Sequence, residues 1–215
     1  MERCVHKPRT FEKPYLLVVE GKDDADFFEA FLKALSREIQ EIKDKFDIFY
    51  IEGKKKLPKA LEAIKQTPGF NKVDALIIIE DSNSSPDSTL QSIKDSLKKA
   101  GLPIPRKATE PSGKKPKVMI LLLPDTNKQG MLEDLCLESV KNDPAVNCME
   151  NYFNCLKSKG IKIKVSFSKA KCLAFLASRP KVPKNIGIAA HQGVWPFDSP
   201  AFDKIKDAIR KIITC

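Results

Sequence analysis

Metal-binding cysteine and histidine patterns are missing from this chain. Its six cysteines, Cys4, Cys136, Cys148, Cys155, Cys172 and Cys215, form no CxxC pair, and only His6 and His191 accompany them. Zinc sites need cysteine and histidine clustered at short spacing, so a zinc centre is excluded. A chain of 215 residues can bury a sizeable core without disulfides. The cysteines therefore read as free, mostly buried thiols of a reducing cytoplasm. No apolar run approaches the length of a membrane span, and the N-terminus shows no signal-peptide pattern, so no membrane partner is expected. A Walker-type phosphate loop is absent as well, and no internal repeat is visible.

Acid is in deficit. Against 38 Lys and Arg stand 28 Asp and Glu, a net charge of +10. That excess favours polyanionic partners such as DNA or RNA, although lysines on helix surfaces also serve as plain solvated groups. Hydrophobic content of 42% and charged content of 31% describe a folded globular chain rather than a disordered one.

What is present begins with Tyr15-Leu16-Leu17-Val18-Val19-Glu20-Gly21. A short apolar run closed by a turn signal reads as a buried strand. Phe27, Phe28, Phe31, Leu32, Leu35, Ile39 and Ile42 then recur at helical spacing, as a core stripe rather than a base-stacking platform. Asp23 or Asp24 can cap this helix. Phe46–Ile51 reads as a second strand. Leu57, Leu61 and Ile64 mark a shorter helix, and Ala75–Ile79 a third strand. Ser88 or Thr89 is expected to cap the next helix, which Gly101 stops. A proline-rich connection, 103–117, precedes a fourth strand at Val118–Leu123. Strand and helix alternate, which predicts an α/β fold with a mostly parallel, Rossmann-like central sheet.

Beyond Gly130 the pattern is mainly helical, at 131–140, 145–157, 169–177 and 202–213, with a short edge strand expected at Ile161–Val165. His191 falls in an expected loop and reads as structural. The whole is expected to form one domain over 1–215, a core at about 14–177 with a C-terminal helical extension at 178–215.

Acidic groups follow the strands: Glu20 with Asp24, Asp81 with Asn83, then Glu133. If the first and third strands are parallel neighbours, their carboxyl ends bring Glu20 and Asp81 together, where open α/β sheets place ligands. Clustered carboxylates repel one another unless a cation is present. Donors that are all oxygen suit a hard ion, Mg²⁺ or Mn²⁺. The plain alternative is that these acids are helix caps and solvated loop residues. Glu80 points to the opposite face of its strand from Asp81, so it is not expected to join them.

Glu20-Gly21-x-x-Asp24 after one strand and Asp81-x-Asn83 after a later one resemble the TOPRIM fold, shared by topoisomerases, primases and OLD-type nucleases. Gly130-Met131-Leu132-Glu133, and Lys169-Ala170-Lys171 near the start of a late helix, resemble the OLD-type branch and related TOPRIM-like proteins. The resemblance covers about 14–177. It implies a metal site of Glu20, Asp24, Asp81, Asn83 and Glu133, with Glu20, Asp81, Lys169 and Lys171 serving phosphoryl transfer. Asn83 stands where the family carries a second acid, which removes one negative charge. Lys22 and the basic loop Lys54-Lys55-Lys56 are candidate nucleic-acid contacts; a solvated basic turn is the alternative.

Two functions follow as expectations. One is a Mg²⁺-dependent nuclease or other phosphoryl-transfer enzyme on nucleic acid, acting alone, as a homo-oligomer or with a partner chain. The other is a binding module whose weakened metal site does not support hydrolysis. A Rossmann-like protein for a small phosphorylated ligand is a third reading.

Overall fold

The computed structural model describes residues 8–53 and 56–214. Four strands among the described residues, β1 (Tyr15–Val19), β2 (Phe46–Tyr50), β3 (Ala75–Asp81) and β4 (Lys117–Leu123), form one all-parallel sheet in the order β2-β1-β3-β4. Alternate side chains of a strand point to opposite faces. Leu17, Val19, Ile77 and Ile79 enter one apolar core, while Leu16, Val18, Leu76 and Ile78 enter another. Burial on both faces is the reason these strands read as continuous apolar runs.

Helix α1 (Lys22–Leu35) packs on the first face, and α2 (Leu57–Gln66) and α3 (Pro86–Lys99) on the second. The chain thus leaves β1 for β2 over one face and reaches β3 over the other. The reversal creates a topological switch between β1 and β3, where the strand ends open into a crevice. Helices α4 (Leu132–Ser139), α5 (Pro144–Ser158), α6 (Phe167–Ala177), α7 (Ile186–His191) and α8 (Asp203–Thr214) all contribute to the first face. The core there runs in sequence from Leu17 to Ile212. Residues beyond 177 therefore complete it rather than trail from it.

The predicted α/β architecture holds, with local corrections. Helix α1 ends at Leu35, so Ile39 and Ile42 of the expected stripe lie beyond it, Ile42 in a 3₁₀ turn. Ile161–Val165 pairs with no strand of the sheet. An alternating pattern becomes a strand only beside a free edge, and this segment joins α5 to α6. Residues expected as a loop around His191 form the end of α7. Gly187 inside so short a helix disguises it, since glycine is a poor helix former. Capping also differs: Ser85, not Ser88 or Thr89, caps α3 by accepting the Ser88 N–H at 3.2 Å. The proline-rich connection also has a role. Its Thr109 N–H donates to Ile120 O at 2.8 Å, and Ser112 exchanges both backbone bonds with Val118, which covers part of the exposed edge of β4.

Candidate functional site

Val18 pairs with Ile78 in register, so Glu20 and Asp81 leave the sheet at adjacent carboxyl ends. A cleft of about 1010 Å³ opens there. Glu20, Asp24, Asp81, Asn83, Glu133 and Lys169 all line it. The arrangement follows from the switch point, since β1 and β3 are the strands that the two crossovers separate.

Two of these acids, Asp24 and Asp81, also have structural work. Gly21 caps α1, and Asp24 at the third helical position accepts the Gly21 N–H at 2.9 Å. Burial pushes the Asp24 carboxyl from its usual 3.8 up to about 7, opposed by that amide; the charges of Glu133 and Glu20 add to the rise and Lys169 opposes it. Asp81 Oδ1 accepts the Leu132 N–H at 2.9 Å, which ties the end of β3 to the start of α4. A carboxylate is favoured at a helix N-terminus. Glu133 is buried, and burial raises its pKa against the attraction of Lys169, whose Nζ lies 4.0 Å from Oε1.

Asn83 has a conformational explanation. Its φ is +50°, a left-handed backbone that asparagine tolerates well. Its Nδ2 donates to the Asp81 carbonyl at 2.8 Å, and its backbone exchanges two hydrogen bonds with Gly130. An aspartate could adopt the backbone but could not donate that bond.

Lys169 lines the cleft, whereas Lys171 does not. Lys171 Nζ instead bonds Glu150 Oε1 and sits 4.7 Å above the Phe167 ring. Residues two apart on a helix project about 200° apart, so both cannot face one cleft. Of the two lysines expected at the site, the structure brings Lys169 to the cleft and not Lys171. Lys22 and Lys56 are on the rim, with Lys56 3.6 Å from Glu52. Lys54 and Lys55 lie outside the described residues. Glu80 is buried and does not line the cleft.

Two lining residues, Lys184 and Asn185, were not anticipated. Asn185 caps α7 by accepting the Ile188 N–H at 2.8 Å, and its Nδ2 donates to Asp23 Oδ1 at 2.7 Å. Gly187 lets α7 approach α1 closely: a Cβ there would stand 2.6 Å from Asp26 Cβ. A sequence signal for this wall exists. From Asn151 to Phe197 the chain holds nine Lys and Arg and no Asp or Glu. Of these nine, Lys169 and Lys184 line the cleft beside its acids.

Cys172 also lines the cleft, and burial pushes its thiol up to about 12 with the charges of Glu133 and Asp134 adding. A protonated thiol is not a nucleophile. His191 Nε2 lies 3.3 Å from Glu29 Oε2 and does not line the cleft. No group of three or more His, Cys, Asp or Glu among the described residues is arranged to hold a metal ion. The oxygen donors nevertheless fit a hard ion by type. Mg²⁺ commonly takes one or two carboxylates and completes its shell with water and substrate phosphate.

The raised Asp24 pKa makes a stability prediction. Its carboxyl keeps its proton to higher pH folded than unfolded. Its contribution is therefore complete below about pH 4 and lost as pH rises to about 7. Asp24→Asn keeps an oxygen for the Gly21 amide and carries no charge. In chelator, urea unfolding should show the variant gaining on the wild type between those limits, and a pH-independent difference would refute the shift.

The fold and cleft define an α/β protein of Rossmann-like build, with a ligand crevice at the switch point of its parallel sheet. Among the described residues no helix is long and apolar enough to cross a membrane. The chain belongs to the family described as Protein of unknown function (DUF3226), whose profile matches residues 14–214. That span takes in α7 and α8. No curated protein and no solved structure matches it.

Proposed function

We propose that the cleft is a divalent-metal-dependent, TOPRIM-like phosphoryl-transfer centre that hydrolyses phosphodiesters of nucleic acid. The observation that carries this reading is the convergence of Glu20, Asp24, Asp81 and Glu133 on one switch-point crevice, with Lys22, Lys56, Lys169 and Lys184 around them. A Mg²⁺ or Mn²⁺ ion held by one or two of the carboxylates of Glu20, Asp81 and Glu133, with water and substrate phosphate completing its shell, would neutralise charge on the phosphoryl group and lower the pKa of a bound water. Asn83 and the Gly21 amide hold Asp81 and Asp24 in place. Lys169, 4.0 Å from Glu133, keeps a positive charge where a phosphate oxygen gains charge. The rim lysines bind flanking phosphates without regard to sequence.

Glu20→Gln preserves shape and removes the charge. It is expected to lower Mg²⁺-dependent cleavage of plasmid and single-stranded substrates by about 100-fold or more. A binding readout accompanies it: excess Mg²⁺ should raise the wild-type Tm and leave that of Glu20→Gln unchanged. Equal cleavage by both proteins would sink the proposal. One feature favours a second reading, a non-catalytic nucleic-acid-binding module: Asp81 Oδ1 already accepts the Leu132 N–H, and Asn83 is neutral. Salt-sensitive nucleic-acid binding with neither cleavage nor a Mg²⁺-dependent Tm would establish that reading instead.

A further inference from the structure

The acid-free stretch from Asn151 to Phe197 carries more than charge. Between α5 and α6 the chain reads Lys157-Ser158-Lys159-Gly160-Ile161-Lys162-Ile163-Lys164-Val165-Ser166-Phe167. All of these residues except the partly buried Ile163 are exposed. The apolar exposure is large: Tyr152 55%, Ile161 54%, Val165 60%, Phe167 51% and Leu173 55%. Scattered exposed apolar residues need no explanation, but a contiguous patch does.

The aromatic members are organised. Phe153 is buried and meets both Tyr152 and Phe167, with centroid distances of 5.2 Å each. One buried ring thus contacts two half-exposed ones. The Lys171 ammonium over Phe167 and its bond to Glu150 brace the same corner. On α6, Lys169 and Leu173 line the cleft, while Phe167 and Lys171 share the other side of the helix with the aromatic corner.

We infer that this strip is a track for single-stranded nucleic acid. The inference rests on the cleft being a phosphodiester site. Unpaired bases present π-faces to Tyr152 and Phe167, and the interleaved lysines follow the backbone phosphates. An intact duplex hides those faces and offers the apolar side chains nothing to pack on. Its phosphates would be served by lysine alone. An anionic bilayer would also attract lysine and phenylalanine. The phosphodiester reading of the cleft favours the nucleic acid, and vesicle binding is kept as an outcome of the test.

The test is fluorescence anisotropy in EDTA with a labelled oligothymidylate of about 20 nucleotides and a duplex of equal length. The single strand should bind about tenfold or more tightly than the duplex. Tyr152→Ala and Phe167→Ala should each weaken it about fivefold or more, in line with stacking on one base. Lys162→Gln combined with Lys164→Gln should lessen the salt slope by about 1.4, at about 0.7 per phosphate. These lysines are exposed, so that variant keeps the test valid if an aromatic one folds poorly. Equal affinity for duplex would overturn the inference. So would binding to phosphatidylserine vesicles without oligonucleotide binding, or burial of the strip by self-association in sedimentation. Track-dependent binding without Mg²⁺-dependent cleavage would leave the inference standing and defeat the catalytic reading. Cleavage with oligonucleotide affinity unchanged in both aromatic variants would do the reverse.

Discussion

Phe27→Ala is expected to lower the unfolding free energy by about 3–5 kcal/mol, the usual cost of emptying a buried phenylalanine site. Phe27 is fully buried in α1, against the sheet face that the C-terminal helices cover. Its ring meets Phe28 edge-on at 5.3 Å, Phe197 edge-on at 5.5 Å and Phe202 at 6.0 Å. Phe31 closes the group, at 5.2 Å from Phe197 and 5.8 Å from Phe202. Removing Phe27 therefore loses apolar burial and several ring contacts together. Total stabilities of about 5–15 kcal/mol leave little margin for that. Urea unfolding should show a lower midpoint with an unchanged m-value. Proteolysis should also quicken around 193–202, because Phe197 and Phe202 lean on the missing ring. Phe167→Ala is the control: Phe167 is half exposed, and a change of roughly 1 kcal/mol or less is expected. Equal losses in the two variants would refute the packing argument.

Gly130→Ala should cost about 2–4 kcal/mol, combining backbone strain with a clash. Gly130 has φ of +143°, and a Cβ there would stand 2.5 Å from Asp134 Oδ2 and 2.8 Å from Pro124 Cδ. Asp134 has no freedom to yield. It accepts the Met131 N–H at 2.8 Å at the head of α4 and the Ser168 hydroxyl at 2.6 Å from α6. Gly130 also exchanges two backbone bonds with Asn83. The added methyl group therefore disturbs the connection that sets Asp81, Asn83 and Glu133 beside one another. Gly53→Ala separates the two causes: φ there is +113°, but no atom lies within 4 Å of the added Cβ. It should show strain alone and a smaller loss. Thermal unfolding of both variants decides the matter, and equal losses would remove the clash from the account.

The sequence by itself determined the order of the four strands and of the helices between them, and the acids at the strand ends. Both are local properties. A run such as Leu76-Ile77-Ile78-Ile79 is apolar on both faces wherever the rest of the chain goes, and Glu20 and Asp81 follow their strands by covalent connection. The core role of Phe27, Phe28 and Phe31 was legible for the same reason, because helical spacing reports one buried face.

Only the tertiary structure decided which groups meet. The period of α6 separates Lys169 from Lys171 but does not say which of them faces the cleft. Docking of α6 beside α4 and α5 places Lys169 at Glu133 and Lys171 at Glu150. Lys184 and Asn185 are far in sequence from Asp23, and they reach the cleft because Gly187 admits α7 against α1. Ile161–Val165 alternates as a strand would, yet a strand also needs an edge to pair with, and pairing is not a local property. The place of Asn83 was settled in the same way. Its amide bonds the Asp81 carbonyl locally, but its left-handed backbone is held by two hydrogen bonds to Gly130, which exist only once β3, β4 and α4 are assembled.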